Sequence, residues 1–241
     1  MANRCYTEVA VFGEREELEK LYSLLCEFEK HYHEKHPEYK EYGIYERDFA
    51  ESFGYKAKDK YDSNGWIEHY TLEDNCLRVY QGDRYNPRTY YWYHITRQFK
   101  TLDYVFFAQE PYMGVFQCTD DEHRFFKYNK YNINVSMMSD NYIGLRGRGN
   151  NEEELIENVN ANCSTEFKSI EDIMRYYLSV PYDAMYDDFD NTFFIYYRNP
   201  WKEDSDPFWA ASDKIQNEPG WKAPEPLCPR DEDDEWEEEE F

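Results

Sequence analysis

The spacing of apolar residues changes period several times along the chain, and each change marks an element. Residues 5–12 (CYTEVAVF) read as a strand. After Gly13 the period lengthens, and Leu18, Leu21, Tyr22, Leu25 and Phe28 share one helical face between Glu14 and about Lys35. Glu14, Glu16 and Glu17 suit the positive end of that helix, Lys35 and His36 suit its other end, and Pro37 stops it. Residues 37–64 form a long connection with a short helix near residues 45–53. Residues 65–72 (GWIEHYTL) alternate, Glu73-Asp74-Asn75 turn the chain, and residues 76–81 run back as a hairpin partner. Pro87 opens a second helix over about 88–100, with Tyr91, Trp92, Ile95 and Phe99 inward. Residues 103–109 and 113–119 complete the set as strands. Strand, helix, strand, strand, helix, strand is the split βαβ order, so the expected fold class is α+β, ferredoxin-like βαββαβ. Right-handed crossovers put both helices on one face of an antiparallel sheet.

The second half is less regular. Phe125–Lys127 and Tyr131–Met138 read as short strands, and Thr192–Tyr197 as a late one. Glu152–Asn160 and Ser169–Leu178 read as helices, the latter with Ser169 as N-cap. Gly144-Leu145-Arg146-Gly147-Arg148-Gly149 reads as a mobile turn. It is no phosphate loop, because the following helix opens on Glu152-Glu153-Glu154, which repel phosphate. Arg146 and Arg148 are left as a dock for an acidic segment. From Asn199 the chain becomes rich in Pro and Trp, which predicts an extended arm. The expected division is therefore 1–120 as the ferredoxin-like domain, 121–199 as an irregular α+β extension, 200–230 as the arm and 231–241 as an acidic tail.

Charge turns this fold sketch toward partners. The chain of 241 residues carries 27 basic and 51 acidic side chains, a net of −24. Nine of the acids lie in Asp231–Glu240, and removing them still leaves 27 against 42, or −15. Such a field opposes phosphate binding and favours basic partners. The same charge also serves solubility alone. The chain is 20% aromatic, with 25 Tyr and 16 Phe, enough to build a core despite 32% charged residues. The six cysteines, Cys5, Cys26, Cys76, Cys118, Cys163 and Cys228, form no CxxC pair. With no signal-peptide pattern and no membrane-length apolar run, a cytoplasmic location with free thiols is expected, a disulfide or zinc framework being the weaker alternative.

Four segments resemble the YubB-type ferredoxin-like proteins, which are of unknown function and occur on plasmids, in phages and in bacterial genomes. Met1-Ala2-Asn3-Arg4-Cys5 is similar to that family's Met-Pro-Asn-Trp-Cys opening, and Ser52-Phe53-Gly54-Tyr55-Lys56-Ala57-Lys58-Asp59 to its Asn-Trp-Gly-Thr-Lys-Trp-Asp segment. Both Trp of that segment are replaced here. Tyr85-Asn86-Pro87 resembles its Trp-x-Pro-Pro, and Glu110-Pro111-Tyr112-Met113-Gly114-Val115-Phe116 its Glu-Pro-Gly-Met-Gly-Phe. The resemblance covers about residues 1–120. It implies the ferredoxin-like fold and a mobile-element setting, and supplies no catalytic residue.

Candidate chemistry is sparse. His31, His33 and His36 gather at a helix end, where cationic rings suit the dipole better than three spaced ligands suit a metal. No nucleophile motif stands out, so no catalytic residue, metal ligand or cofactor is assigned. Trp66, Tyr70, Tyr80, Tyr91 and Trp92 form an aromatic stripe read as core rather than as a base-stacking platform. The tail is the most unusual segment, with Trp236 and Phe241 able to imitate stacked bases. The expected partner-binding residues are Asp183, Asp187, Asp188, Asp190, Asp231, Glu232, Asp233, Asp234, Glu235 and Trp236. The expected function is a non-catalytic acidic binding protein of a phage or mobile element. It engages a basic, nucleic-acid-binding surface of a bacterial host protein and so inhibits a defence system, without direct nucleic-acid or membrane contact. The alternatives are an enzyme with a carboxylate site in the second half and a structural or regulatory homo-oligomer.

Overall fold

The computed structural model describes residues 4–56, 65–111, 114–186, 192–203 and 205–227, and among these it has nine strands and six α-helices. The chain is mixed α+β with antiparallel sheets, and it divides into two units. The first is Met1–Tyr128 with Tyr197–Asp204; the second is Asn129–Tyr196 with Ser205–Phe241. The first unit extends to residue 128, and a returning segment pairs with its sheet through Gln117 and Arg198. Trp201 of that segment packs edge-on against Tyr104 and Phe106 at 5.4 and 5.7 Å.

The first unit contains β1 (Arg4–Phe12), α1 (Arg15–Lys35), β2 (Ile44–Tyr45), α2 (Glu46–Ser52), β3 (Gly65–Leu72), β4 (Leu77–Arg84), α3 (Tyr90–Thr96), β5 (Asp103–Glu110) and β6 (Val115–Cys118). Its sheet has six strands in the order β2-β3-β4-β1-β5-β6, all paired antiparallel. Leu18, Leu21 and Leu25 of α1 join Phe49 of α2 and Tyr91, Trp92 and Ile95 of α3 over Val9, Val11, Leu77, Val79 and Phe106. Helical and strand periods thus converge on one core, whose burial supplies the main stabilisation. Glu17 fixes the chain between α3 and β5 by accepting the Thr101 hydroxyl and the Lys100 and Thr101 N–H groups at 2.7, 3.0 and 2.7 Å. Those bonds hold its carboxyl below the ordinary pKa.

Two elements are shorter than their patterns predict. Helix α3 ends at Thr96, because Gln98 and Phe99 turn back to Ile95 and Thr96 with bonds to the third residue before. Strand β6 covers only 115–118. Phe125–Lys127 is not a strand, because the Asp120 carboxylate gathers the N–H groups of Arg124, Phe125 and Phe126 at 3.1, 2.7 and 2.9 Å.

The second unit contains β7 (Tyr131–Val135), β8 (Leu145–Gly149), α4 (Glu152–Cys163), α5 (Ile170–Leu178), β9 (Thr192–Tyr196) and α6 (Pro207–Gln216), with sheet order β8-β7-β9. The segment expected to be a glycine turn is β8 itself. Its glycines are set by close packing: a Cβ at Gly147 would collide with Val159, and one at Gly149 with the Leu155 backbone of α4. Asn151 caps α4 at Glu154 N–H and Ser169 caps α5 at Asp172 N–H. The expected extended arm holds α6, capped by Asp206 at the N–H of Phe208 and Trp209, with Pro207 at its first turn. Beyond it, Glu218 accepts both Arg175 terminal nitrogens at 2.7 and 2.8 Å, and Trp221 packs on the core. No helix among the described residues is long and apolar enough to cross a membrane.

Candidate functional site

Two features carry unusual charge: a buried carboxyl pair in the first unit, and the acidic surface of the second.

The pair forms because the core-facing alternation of β4, Leu77 and Val79, runs on through Gln81 and Asp83. Glu46 enters from the first turn of α2. Both carboxyls are buried, Glu46 completely. A polar chain links them to the core: Trp92 Nε1 donates to Gln81 Oε1, and Gln81 Nε2 donates to Glu46 Oε1. Thr7 Oγ1 and the Arg88 N–H donate to Asp83 Oδ2 at 2.8 and 3.1 Å. The remaining oxygens, Glu46 Oε2 and Asp83 Oδ1, meet above Gly65, where a side chain would collide with both. Burial pushes both carboxyls up, Asp83 to about 6 and Glu46 well above its ordinary range, with the Asp83 charge adding to the rise at Glu46. Both shifts favour one shared proton at neutral pH, on Glu46 as the more strongly raised group. Sealed in this way, it braces β4, α2 and α3 and presents no carboxylate to a substrate.

The second unit carries most of the excess acidity. By sequence it has 8 basic against 25 acidic residues, a net of −17, while the first has 19 against 26, a net of −7. Glu152, Glu153 and Glu157 are exposed on α4. Of the expected partner-binding residues, Asp183 is described, and its Oδ1 accepts the Leu227 N–H at 3.0 Å. That carboxylate therefore also anchors the end of the arm, a role its sequence neighbourhood did not signal. Asp187, Asp188, Asp190, Asp231, Glu232, Asp233, Asp234, Glu235 and Trp236 lie outside the described residues.

Other candidates resolve into local structure. His31 Nδ1 and His33 Nε2 bond the carbonyls of Glu27 and Gly43 at 2.9 and 3.0 Å, while His36 lies 3.6 Å from Glu38. The three rings serve three different contacts, and no metal-binding cluster occurs among the described residues. The aromatic stripe splits. Tyr91 and Trp92 are core, and Tyr70 donates to Glu29 at 2.5 Å. Trp66 stacks on Tyr45 at 3.7 Å. Tyr80, read as core, is instead 39% exposed on the opposite face of β4, beside His69. A polar cavity of about 660 Å³ in the second unit brings together Asp140, Arg146 and Cys163, with one carboxylate rather than a pair. Arg146 and Arg148 project from β8 and are exposed.

The five described cysteines are free. Burial pushes the Cys5 and Cys76 thiols up to about 12 and Cys118 to about 11. Native protein at mildly alkaline pH should leave these three unreactive to a thiol-specific chromogenic disulfide, and denaturant should release three further equivalents. Full titration of the native chain would contradict the buried placement.

No protein-family model, curated protein or solved structure matches the chain. Fold and site together define an α+β protein of two antiparallel-sheet units with a buried carboxyl pair in the first; nine of the second unit's 25 acids lie in residues 231–240, and without them the two units carry similar nets of −8 and −7.

Proposed function

We propose that this chain is a non-catalytic acidic binding protein that engages the basic, nucleic-acid-binding surface of a partner protein. The observation that carries this reading is the net charge of −24, which stays at −15 when the nine acids of residues 231–240 are set aside. A field of one sign speeds encounter with a basic partner and disfavours nucleic acid itself. The first unit reads as a ferredoxin-like domain of the YubB type. Its central strand order β3-β4-β1-β5, with α1 and α3 packed in the same core, supports that assignment, and β2 and β6 extend its two edges. Gly54 and Gly114, two positions that carry the resemblance, have φ of +85° and +64°, where glycine is favoured. With free thiols, the reading places the protein in the cytoplasm of a bacterium carrying a mobile element, acting on a host defence component.

Capture from nuclease-treated bacterial lysate on the immobilised full chain tests this. Nucleic-acid-binding proteins should be enriched at low salt and released at about 1 M salt, where the screening length falls to about 3 Å. Salt-insensitive capture, or no enrichment of basic proteins, overturns the reading. Truncation after residue 230 then assigns the contact: lost capture places it on the tail, and retained capture places it on the folded surface.

A further inference from the structure

The connection from β7 to β8, the end of α4 and Tyr186 line the polar cavity of about 660 Å³ in the second unit. Its backbone frame is fixed at three points. The Tyr176 hydroxyl of α5 accepts the Ile143 N–H at 2.6 Å and meets the Ile143 carbonyl at 3.0 Å. Cys163 Sγ accepts the Arg146 N–H at 3.3 Å, and Asn162 Nδ2 donates to the Arg146 carbonyl at 3.2 Å. The Tyr186 N–H donates to the Ser136 carbonyl at 3.2 Å. Two charged tips are left over. The Asp140 carboxylate and the Arg146 guanidinium both line the cavity, and among the described residues neither has an ion pair or a hydrogen bond, with each other or with any third group. In the same unit, by contrast, Arg175 is held by Glu171 and Glu218, and Lys214 by Glu171. Met137, Tyr142 and Tyr186 supply apolar surface beside the two charges.

We propose that this cavity binds a small zwitterion, an amino acid with an apolar side chain, its carboxylate on Arg146 and its ammonium on Asp140. The planar guanidinium fork matches a carboxylate with two parallel hydrogen bonds. An ammonium group is a compact donor that a carboxylate accepts from any side. The two charges of the lining cancel, and so do those of the guest. An anion alone would answer Arg146 but face Asp140 and the field of a chain at −24. A cation alone would answer Asp140 but meet Arg146. A neutral apolar guest would take water from both charges and return nothing. The zwitterion leaves neither charge unmatched, and its side chain lies against Met137, Tyr142 and Tyr186. The volume falls within the roughly 300–1,000 Å³ of small-molecule sites. The site is independent of the acidic-binding reading, because its lining has no net charge to offer a basic partner.

The test uses the full chain at neutral pH and three probes of one shape: L-phenylalanine, the anion 3-phenylpropionate and the cation 2-phenylethylammonium. Gly144 lines the cavity and follows Ile143 in the only Ile-Gly pair of the chain, so carbonyl-labelled isoleucine with nitrogen-labelled glycine isolates its amide resonance. L-phenylalanine should shift that resonance saturably at about millimolar concentration. It should bind at least about five-fold more tightly than either singly charged probe, the factor for a charge pair of ~1 kcal/mol. Asp140→Asn should abolish the preference over 3-phenylpropionate, and Arg146→Gln the preference over 2-phenylethylammonium. Both side chains are exposed, so neither change should disturb the fold. This crossed pattern needs two separate charge contacts, and a general loosening of the loop would not produce it. No saturable shift with L-phenylalanine, equal affinity for the three probes, or a preference that survives its substitution overturns the site.

Discussion

Glu46→Gln should stabilise the protein at pH 8 and flatten its dependence on pH. Both carboxyls of the pair have folded-state pKa values raised by burial, Asp83 from 3.8 to about 6 and Glu46 further. The folded state therefore holds protons that the unfolded chain gives up. Below about pH 4 both states are protonated and the pair costs nothing in this respect. As pH rises through 4 and toward 6, the unfolded carboxyls ionise first, and folding stability falls. For Asp83 alone the shift corresponds to about 3 kcal/mol at neutral pH, and Glu46 adds to it. The amide introduced by Glu46→Gln keeps an oxygen for Gln81 and supplies a permanent N–H for Asp83, so the geometry is retained without a titrating proton. Arg88 is the positively charged residue that acts on both carboxyls, and its attraction tempers the rise without cancelling it. Glu46→Ala should instead cost about 3 kcal/mol, because it opens a cavity and strands Gln81 and Asp83. Denaturant midpoints from pH 4 to 8 measure both. If Glu46→Gln is the less stable protein at pH 8, the pair is a compensated dianion and the shared proton is wrong.

This pair also shows where the sequence was legible. The alternation of Leu77 and Val79 places Gln81 and Asp83 on the core face by simple continuation. Glu46 opens a short helix, where an acid at the first turn reads as a dipole complement. Nothing local says that it faces inward, because that depends on β2 and β3 carrying α2 over the sheet. The long periodic elements, α1, β1, β3, β4 and β5, follow their patterns, since burying one face decides both period and side. The misread segments are those whose reason is a distant contact. Gly147 and Gly149 look like turn residues because glycine marks both turns and close approaches, and α4 supplies the reason only once it is packed. The Pro–Trp segment reads as extended because prolines break helices, yet Pro207 follows the Asp206 cap and so opens one. The net acidity was visible as composition. Most of the difference between the units was visible too, because nine of the second unit's 25 acids lie in the run Asp231–Glu240.

The same close approach gives the second large effect. Gly149→Ala should destabilise the second unit by about 3 kcal/mol, and Gly147→Ala by about 1 kcal/mol, both through overpacking against α4. The ranking follows from what each new methyl meets. At Gly149 the obstacle is backbone: the Leu155 nitrogen, with the Asn151 carbonyl oxygen 3.0 Å away. Backbone of a capped first turn yields only by moving the helix, and Asn151 is the residue that caps it. At Gly147 the nearest atom is a Val159 methyl, which a side-chain adjustment relieves in part. Intrinsic strand preference runs the other way, because alanine replaces the more flexible glycine. A loss at either site therefore reports packing. Arg148→Ala, between the two on an exposed position, should change stability by less than about 0.5 kcal/mol and serves as the reference. Hydrogen exchange of the β7 and β8 amides reads the effect locally, so an independent transition of the first unit does not blur it. Equal protection in Gly149→Ala and Arg148→Ala would mean that α4 does not rest on this strand. The opposite result would tie the two glycines, which read as turn residues in sequence, to the helix that carries the exposed Glu152, Glu153 and Glu157.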